Sequence, residues 1–310
     1  MKWWMRPLVR LLAAILLPLF VPAIITGALW ALPGDPASII CPPGACDGGE
    51  ALAARWDLDQ GPLHYYSVWM SNAATGDFGR SWTLMSGSPV YDEIVASIPY
   101  TAMLVGLALV PLMFGTLMAA LGWLPKSLDY LWQLVGLLPA VILALLVAAY
   151  VTITWGATFG DWRPVALRLV LGGLVLGVAD GALAGAVMGT RSVFEEEVKQ
   201  RYVQIALLRG ESVLSNALPN VLPAMIGQMR GRVLHVLSGA VVVEVVVGIP
   251  GLGKLLWDGT LKQDFGFVLA ATFVFAMFSG ALMFTQALSE IAVALYVRRS
   301  PRGVLAEVQP

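Results

Sequence analysis

The sequence predicts an all-α polytopic membrane protein with six transmembrane helices, because of its composition and the lengths of its apolar runs. Hydrophobic residues make up 58% of the 310 positions and charged residues only 13%, whereas about 25% of residues are charged in a soluble domain. An apolar run of about 18 or more residues can cross a bilayer as a helix. Six such runs occur, at 8–32, 99–124, 128–153, 165–189, 222–248 and 266–296.

The first run shares one feature with secretory signal peptides, a basic N-terminus that contains Lys2, Arg6 and Arg10. Its apolar stretch is longer than the roughly 7–15 residues of a signal-peptide core. We therefore expect 8–32 to be a retained transmembrane helix.

Lysine and arginine are distributed unevenly between the two ends of the runs. If the N-terminus is cytoplasmic, 13 of the 19 basic residues fall on the cytoplasmic side and 6 on the external side. Because cytoplasmic loops of membrane proteins carry an excess of lysine and arginine, both termini are predicted to be cytoplasmic.

The predicted organisation has four parts. An N-terminal transmembrane helix at 1–32 precedes an external segment at 33–98, which is rich in Pro, Gly and Asp. A transmembrane core at 99–296 follows, and the chain ends in a cytoplasmic tail at 297–310. Inside the core, a polar cytoplasmic segment at 190–223 lies between the fourth and fifth helices.

This polar segment is predicted to contain one helix. Glu195 to Leu208 includes no Pro or Gly, and Gly210 follows closely. Because glycine has no Cβ, it suits the left-handed position that ends many helices. We expect a single helix that ends at Gly210.

Short motifs occur along nearly the whole chain. The polar segment contains Arg191-Ser192, Glu196, Tyr202-Val203, Ala206, Gly210 and Asn216-Ala-Leu-Pro-Asn220-Val-Leu-Pro223. Outside it lie Pro33-Gly-Asp-Pro36, Leu58-Asp59-Gln60, Gly76-Asp77-Phe78-Gly79, Gly239-Ala-Val-Val-Val-Glu244, Pro250-Gly-Leu-Gly253 and Asp264. Each motif alone has low specificity, but their number and order make the set more specific.

In this order the motifs resemble those of ABC importer permeases of the dipeptide, oligopeptide and nickel family, the inner-membrane components of binding-protein-dependent transport systems. In that family the polar segment is the EAA loop, or coupling segment, whose short helix sits in a cleft of a separate ATPase. The resemblance implies an importer subunit for di- or oligopeptides that couples ATPase closure to alternating access. It implies that the coupling residues are Arg191, Glu196, Tyr202, Ala206, Arg209, Gly210, Asn216, Asn220 and Pro223.

The resemblance also implies partners and a location. The chain would assemble in the bacterial inner membrane with a second homologous permease, two cytoplasmic ATPases and an external solute-binding protein. ATP and Mg would be bound by the ATPases, and no cofactor by this chain. The net charge of −1 does not indicate a nucleic-acid partner.

One part of the segment departs from the family pattern. Asn216 follows Gly210 by six positions, roughly one helical turn fewer than in the family, and stands where a histidine is usual. An alternative function is therefore a permease-derived scaffolding subunit with lost or altered ATPase coupling. Taken alone, the segment is also compatible with an ordinary solvated amphipathic helix.

Ionisable residues inside membrane spans are costly and point to function. Asp180 lies in the fourth run, Arg230 and Arg232 lie early in the fifth, and Glu244 lies near its outer end; we expect the fifth helix to begin near Pro223. These four are candidates for a transport pathway or gate. Alternatively, the arginines snorkel to the interface, Asp180 pairs with one of them, and Glu244 is a structural hydrogen-bonding group. A third interpretation, an ion- or proton-coupled carrier that uses Asp180, lacks the inverted repeat of many carriers.

No enzymatic role is predicted. The segment 248–254 matches the start of a phosphate-binding P-loop, but the Ser or Thr that would hold magnesium does not follow it. With two distant histidines, His64 and His235, neither a catalytic triad nor a metal site can be drawn. Cys41 and Cys46, predicted to be external, would form a small disulfide loop in an oxidising compartment or remain free thiols.

Overall fold

Helices account for nearly all of the regular structure. A computed structural model describes residues 5–32, 36–41, 49–85, 87–155 and 162–299. Across these ranges the chain forms α-helices and one 3-10 turn, and its only β-pairing is an isolated bridge between Arg80 and Pro89. The predicted all-α class is confirmed.

Thirteen α-helices occur in the described ranges. In chain order they are α1 Met5–Ala31, α2 Pro36–Ile40, α3 Gly49–Arg55, α4 Pro62–Ala73, α5 Tyr91–Ala120, α6 Asp129–Gly136 after a 3-10 turn at Lys126–Leu128, α7 Ala140–Trp155, α8 Trp162–Val178, α9 Ala182–Val198, α10 Arg201–Leu208, α11 Val213–Val247, α12 Leu252–Leu261 and α13 Phe265–Arg299.

Length and composition identify the helices that can cross a membrane. Segments of α1, α5 and α13 qualify as unbroken helices. Three bent pairs also qualify, namely α6 with α7 at 72°, α8 with α9 at 42°, and the later part of α11 with α12 at 70°. The described residues therefore contain three spans, or six if each bent pair is one span.

Two helices begin eight or more residues before their apolar runs. Helix α5 begins at Tyr91 rather than 99, because Asp92 and Glu93 are acidic residues in its first turn, where they favour the helix dipole. Helix α11 begins at Val213, so the expected start near Pro223 is wrong. Pro219 and Pro223 lie inside this helix, where each removes a backbone donor.

The expectation of one helix over 195–208 is also wrong. Helix α9 continues to Val198, the chain turns at Lys199 and Gln200, and α10 begins at Arg201. The turn places Val203 in a buried cluster with residues of α9 and α11. Burial of apolar side chains therefore overrides the helical propensity of the intervening residues.

The chain divides into two compact units. The first, here the coupling unit, comprises the described parts of 1–12, 103–248 and 281–310. The second, here the loop unit, comprises the described parts of 13–102 and 249–280.

The loop unit has an aromatic and aliphatic core. Trp82 packs with Tyr65, Trp56 and Phe265 at ring-centroid distances of 6.5, 6.0 and 5.4 Å. Burial, with a smaller contribution from the nearby Asp264 carboxylate, raises the pKa of Tyr65.

At the centre of this unit, the Asp264 side chain is fully buried. It accepts five hydrogen bonds: from Ser81 Oγ at 2.5 Å, Trp82 N at 3.0 Å, Thr83 N at 3.0 Å, Leu84 N at 2.8 Å and Phe267 N at 3.3 Å. The carboxylate thus takes the place of a β-strand partner for three successive backbone N–H groups and holds the loop that precedes α5 to the start of α13.

Candidate coupling site and charged span residues

The coupling segment, 190–223, consists of the end of α9, all of α10 and the first turns of α11. Its inner face is apolar. Val203, Ala217 and Val221 are buried, and Phe194 and Met225 pack against them. Helix α10 is therefore held against its own chain by a small hydrophobic core.

Gly210 ends α10 as the sequence predicts. Its φ is +77°, a conformation that costs glycine little. Its amide donates to Leu207 O at 2.9 Å, and the amide of Glu211 donates to Ala206 O at 3.0 Å. This pair of bonds is a Schellman motif, so the end of α10 is well defined.

The outer face of α10 is largely apolar and exposed. Leu208 is 88% exposed and Ile205 50%, and Arg201 and Arg209 on the same short helix and its cap are also exposed. Ala206, in contrast, is buried. Its small side chain therefore packs within this chain, and the surface available to a partner is formed by the larger neighbours.

Arg191 makes its contacts within the chain. It forms an ion pair with Asp129 at the start of α6 and donates to Leu124 O at 2.9 Å. Nearby, Lys126 Nζ lies 2.6 Å from Glu195 Oε1, and this contact lowers the pKa of Glu195. Arg191 thus ties α9 to α6, while Glu196 is exposed.

Tyr202 and Asn220 connect α10 to α11. Asn220 Nδ2 donates to the Tyr202 hydroxyl at 2.6 Å, and that hydroxyl donates to Glu197. Partial burial, followed by the bond to Glu197, raises the pKa of Tyr202 to about 12. Asn216 Nδ2 donates to Ser212 O at 2.9 Å, so its side chain serves the first turn of α11. Pro223 lies in α11, and its side chain is outside what is described.

Asp180 occupies the break between α8 and α9. Its φ is +50°, its amide donates to Leu138 O at 3.0 Å, and its Oδ1 accepts from Ala140 N at 3.0 Å. In the described part of the chain no ion pair joins Asp180 to Arg230 or Arg232, so the expected pair is not formed. The carboxylate instead accepts from the Ala140 amide at the start of α7. This amide has no acceptor within its own helix.

Arg232 lies in a notch on α9, the space left by the absent side chain of Gly185. A Cβ on Gly185 would come within 2.0 Å of its guanidinium, and Nη1 lies 3.5 Å from Gly181 O. Arg230 Nε is buried and has no hydrogen-bond partner among the described residues. Glu244 is fully buried. Arg232 therefore approaches the backbone of Gly181, the residue after Asp180, but does not pair with the Asp180 carboxylate.

Sequence reasoning missed two acidic residues of the coupling unit, Glu290 and Asp129. Arg10 forms an ion pair with Glu290, and Gln286 Nε2 donates to Glu290 Oε1 at 2.7 Å. Glu290 lies near the basic end of α13, where a single acidic residue gave no signal. Asp129 was also missed, although an acidic residue at the start of an apolar run is a local signal for the beginning of a helix.

One of the two cysteines lies in the described part of the chain. Cys41 is disulfide-bonded, whereas Cys46 lies outside the described residues, so the pairing of the two stays a prediction. Among the residues that the structure describes, no three His, Cys, Asp or Glu side chains form a potential metal site.

Comparisons with known proteins identify the family of this chain. The family described as "Binding-protein-dependent transport system inner membrane component" matches residues 94–299. The chain is 31% identical over 263 residues to the glutathione transport system permease protein GsiC of Shigella boydii and to that of Escherichia coli. Each alignment covers 79% of this chain and 83% of the relative.

Membership in this family has direct consequences for assembly. Its members are transporter membrane subunits, and membership implies a second permease, ATPase subunits and a solute-binding protein as partners. The apolar helices and the match over 94–299 together show that this chain belongs to the binding-protein-dependent transport system inner membrane components, as a multi-pass permease subunit of an ABC importer.

Proposed function

We propose that the chain imports short peptides by coupling ATPase closure to alternating access through its coupling segment. The observation that carries this proposal is the two-sided character of α10. Its inner face is fixed to α9 and α11 by Val203 and its neighbours, whereas Leu208 and Ile205 on its outer face are exposed. A rigidly held helix with an exposed apolar face suits a docking contact that must transmit force.

The proposed topology has six spans, with each bent pair counted as one and both termini cytoplasmic. The coupling segment then lies on the cytoplasmic side, where ATP and Mg would be bound by the partner ATPases. A push on α10 would reach α11 through the shared apolar core and α6 through the Arg191–Asp129 ion pair.

The proposed substrate class rests on similarity. The relatives named above are glutathione permeases, and glutathione is a short peptide with a thiol. We therefore propose short peptides, with glutathione as the first to be tested. In vesicles that contain the complex and its binding protein, glutathione uptake should require ATP. Uptake of unrelated sugars but not of any di-, tri- or oligopeptide would contradict the substrate class.

A scaffolding subunit remains a second candidate, because only Glu211 and Ser212 separate the cap of α10, with its Gly210, from the start of α11. This two-residue connection does not contain the additional helical turn that the family pattern has between these positions. A scaffolding subunit would still bind its partners, but nucleotide would not change its conformation.

Substitution of Leu208 by Asp tests the coupling contact. A charge at this 88% exposed position should weaken docking in an apolar cleft, so ATPase recovered with the tagged chain should fall at least tenfold, as for loss of an interface anchor of about 2 kcal/mol. Leu63→Asp is the matched control, since Leu63 is 83% exposed and lies in the predicted external segment. Equal ATPase recovery from both variants would contradict the proposal.

A further inference from the structure

The breaks of two bent helix pairs lie against each other in the coupling unit. One break separates α6 from α7 and the other separates α8 from α9. A Cβ on Gly136 would come within 3.2 Å of Gly181 Cα and 3.0 Å of Ala184 Cβ. The two segments therefore approach at backbone distance at the point where both depart from helical geometry.

Asp180 joins the two breaks with a reciprocal pair of hydrogen bonds. Its backbone amide donates to Leu138 O, near the end of α6, and its carboxylate accepts from Ala140 N, the first amide of α7, each at 3.0 Å. Asp180 thus acts as an N-cap for a helix to which it is not adjacent in sequence.

The junction at Asp180 is connected to the coupling segment by a single helix, α9. Helix α9 begins at Ala182 and continues without interruption to Val198, inside the coupling segment. On its other side, the Arg232 guanidinium fills the notch at Gly185 and approaches Gly181 O. One continuous helix therefore joins the coupling segment to the break at which Asp180 contacts α7.

We propose that Asp180 is a positioning residue that transmits movement of the coupling segment to α7 by capping that helix across the two breaks. This inference rests on the proposed function, because it assumes that ATPase closure moves the coupling segment. It requires an oxygen acceptor at position 180 and a residue that tolerates positive φ, but it does not require the negative charge.

Two substitutions separate these requirements. Asp180→Asn keeps an oxygen for Ala140 N, and asparagine tolerates the left-handed conformation. Asp180→Gly keeps the backbone conformation and removes the cap. Peptide uptake per ATP hydrolysed should be retained in Asp180→Asn and should fall about fivefold in Asp180→Gly, the factor that corresponds to loss of one helix cap. ATPase recovery with the chain should be unchanged in both.

Distance measurements between spin labels locate the defect. In the complete complex, one label pair at Met113 and Lys199 reports the coupling segment, and a second pair at Met113 and Ile153 reports α7; all three side chains are exposed, and none belongs to the proposed docking face of α10. Addition of ATP with vanadate should shift both distances in the parent chain and in Asp180→Asn. In Asp180→Gly the first pair should still shift and the second should not.

The outcomes distinguish the two levels of proposal. A shift of both pairs in Asp180→Gly, or loss of the α7 shift in Asp180→Asn, would overturn the role of Asp180 and leave the proposed function intact. No shift of the coupling pair in the parent chain would overturn the proposed function, and with it this inference. Loss of uptake in Asp180→Asn with both shifts retained would point to a carrier that needs the charge and would also overturn the inference.

Discussion

Asp264 in the loop unit and Asp180 in the coupling unit both supply acceptors to backbone amides, but their surroundings differ. Asp264 is fully buried, and its two oxygens accept five hydrogen bonds. Asp180 is exposed and its carboxylate accepts one, from Ala140. A carboxylate with donors on both oxygens fixes its loop in a single arrangement. A carboxylate with one donor contributes one such bond, whose removal should cost about 1 kcal/mol.

This difference in hydrogen bonding follows from how the backbone around each aspartate is supported. The loop around Asp264 contains no long helix to hold it, so its backbone donors depend on one side chain. At Asp180 the neighbouring helices supply most of the backbone bonds, and the carboxylate adds only the cap of α7. The attachment of α7 to Asp180 therefore depends on one carboxylate hydrogen bond, whereas the loop held by Asp264 depends on five.

The largest expected effect comes from the same substitution at both aspartates. Asp264→Asn places an NH2 group where a carboxylate oxygen accepts at least two donors, so we expect a loss of about 3 kcal/mol or more in the free energy of unfolding. Asp180→Asn retains its acceptor and should cost less than about 1 kcal/mol. Thermal unfolding in detergent, followed by helical circular dichroism, measures both. Equal losses would show that the two carboxylates do not differ in this way.

Gly185 provides the next prediction. Gly185→Ala should displace the Arg232 guanidinium from its notch and lower the free energy of unfolding by about 1 kcal/mol. Gly231→Ala is the matched control, because a Cβ at Gly231 meets no atom within 4 Å. There the better helix propensity of alanine should add about 0.5–1 kcal/mol. The same unfolding assay decides the sign at each glycine, and stabilisation at both would refute close packing of Arg232.

Tyr202 should give the smallest effect. Tyr202→Phe removes the bonds to Glu197 and Asn220, which should cost about 0.5 kcal/mol at this partly exposed site. Because folding raises the pKa of the phenol from 10.0 to about 12, the wild-type hydroxyl contributes fully below pH 10 and loses its contribution as the pH rises through 12.

Unfolding measured across that pH range should therefore show a decrease in wild-type stability that is smaller in Tyr202→Phe. Tyr130→Phe is the control, since Tyr130 is 83% exposed and belongs to the same unit. Identical pH profiles for the parent chain and Tyr202→Phe would rule out a stabilising role for the hydroxyl.

Much of the fold could be predicted from the sequence, and less of the site. The α1 and α13 runs and the end of α10 at Gly210 were correctly predicted, because long apolar runs and a glycine with positive φ are local signals. The turn at Lys199 and Gln200 was not, because nothing local marks it. It exists because Val203 is buried against residues distant in sequence.

The sequence by itself determined that this chain is helical and enters a membrane, and its motifs identified the permease family. A backbone in lipid must satisfy its own hydrogen bonds, so apolar runs of sufficient length have few alternatives to a helix. The tertiary structure alone decided where those runs break and what the charged residues contact. Asp180 caps α7 rather than pairing with arginine, because the orphan donor of Ala140 reaches it across the chain. Ala206 faces inward and Leu208 outward for a related reason, since only the packing of α10 on α9 and α11 determines which face remains exposed.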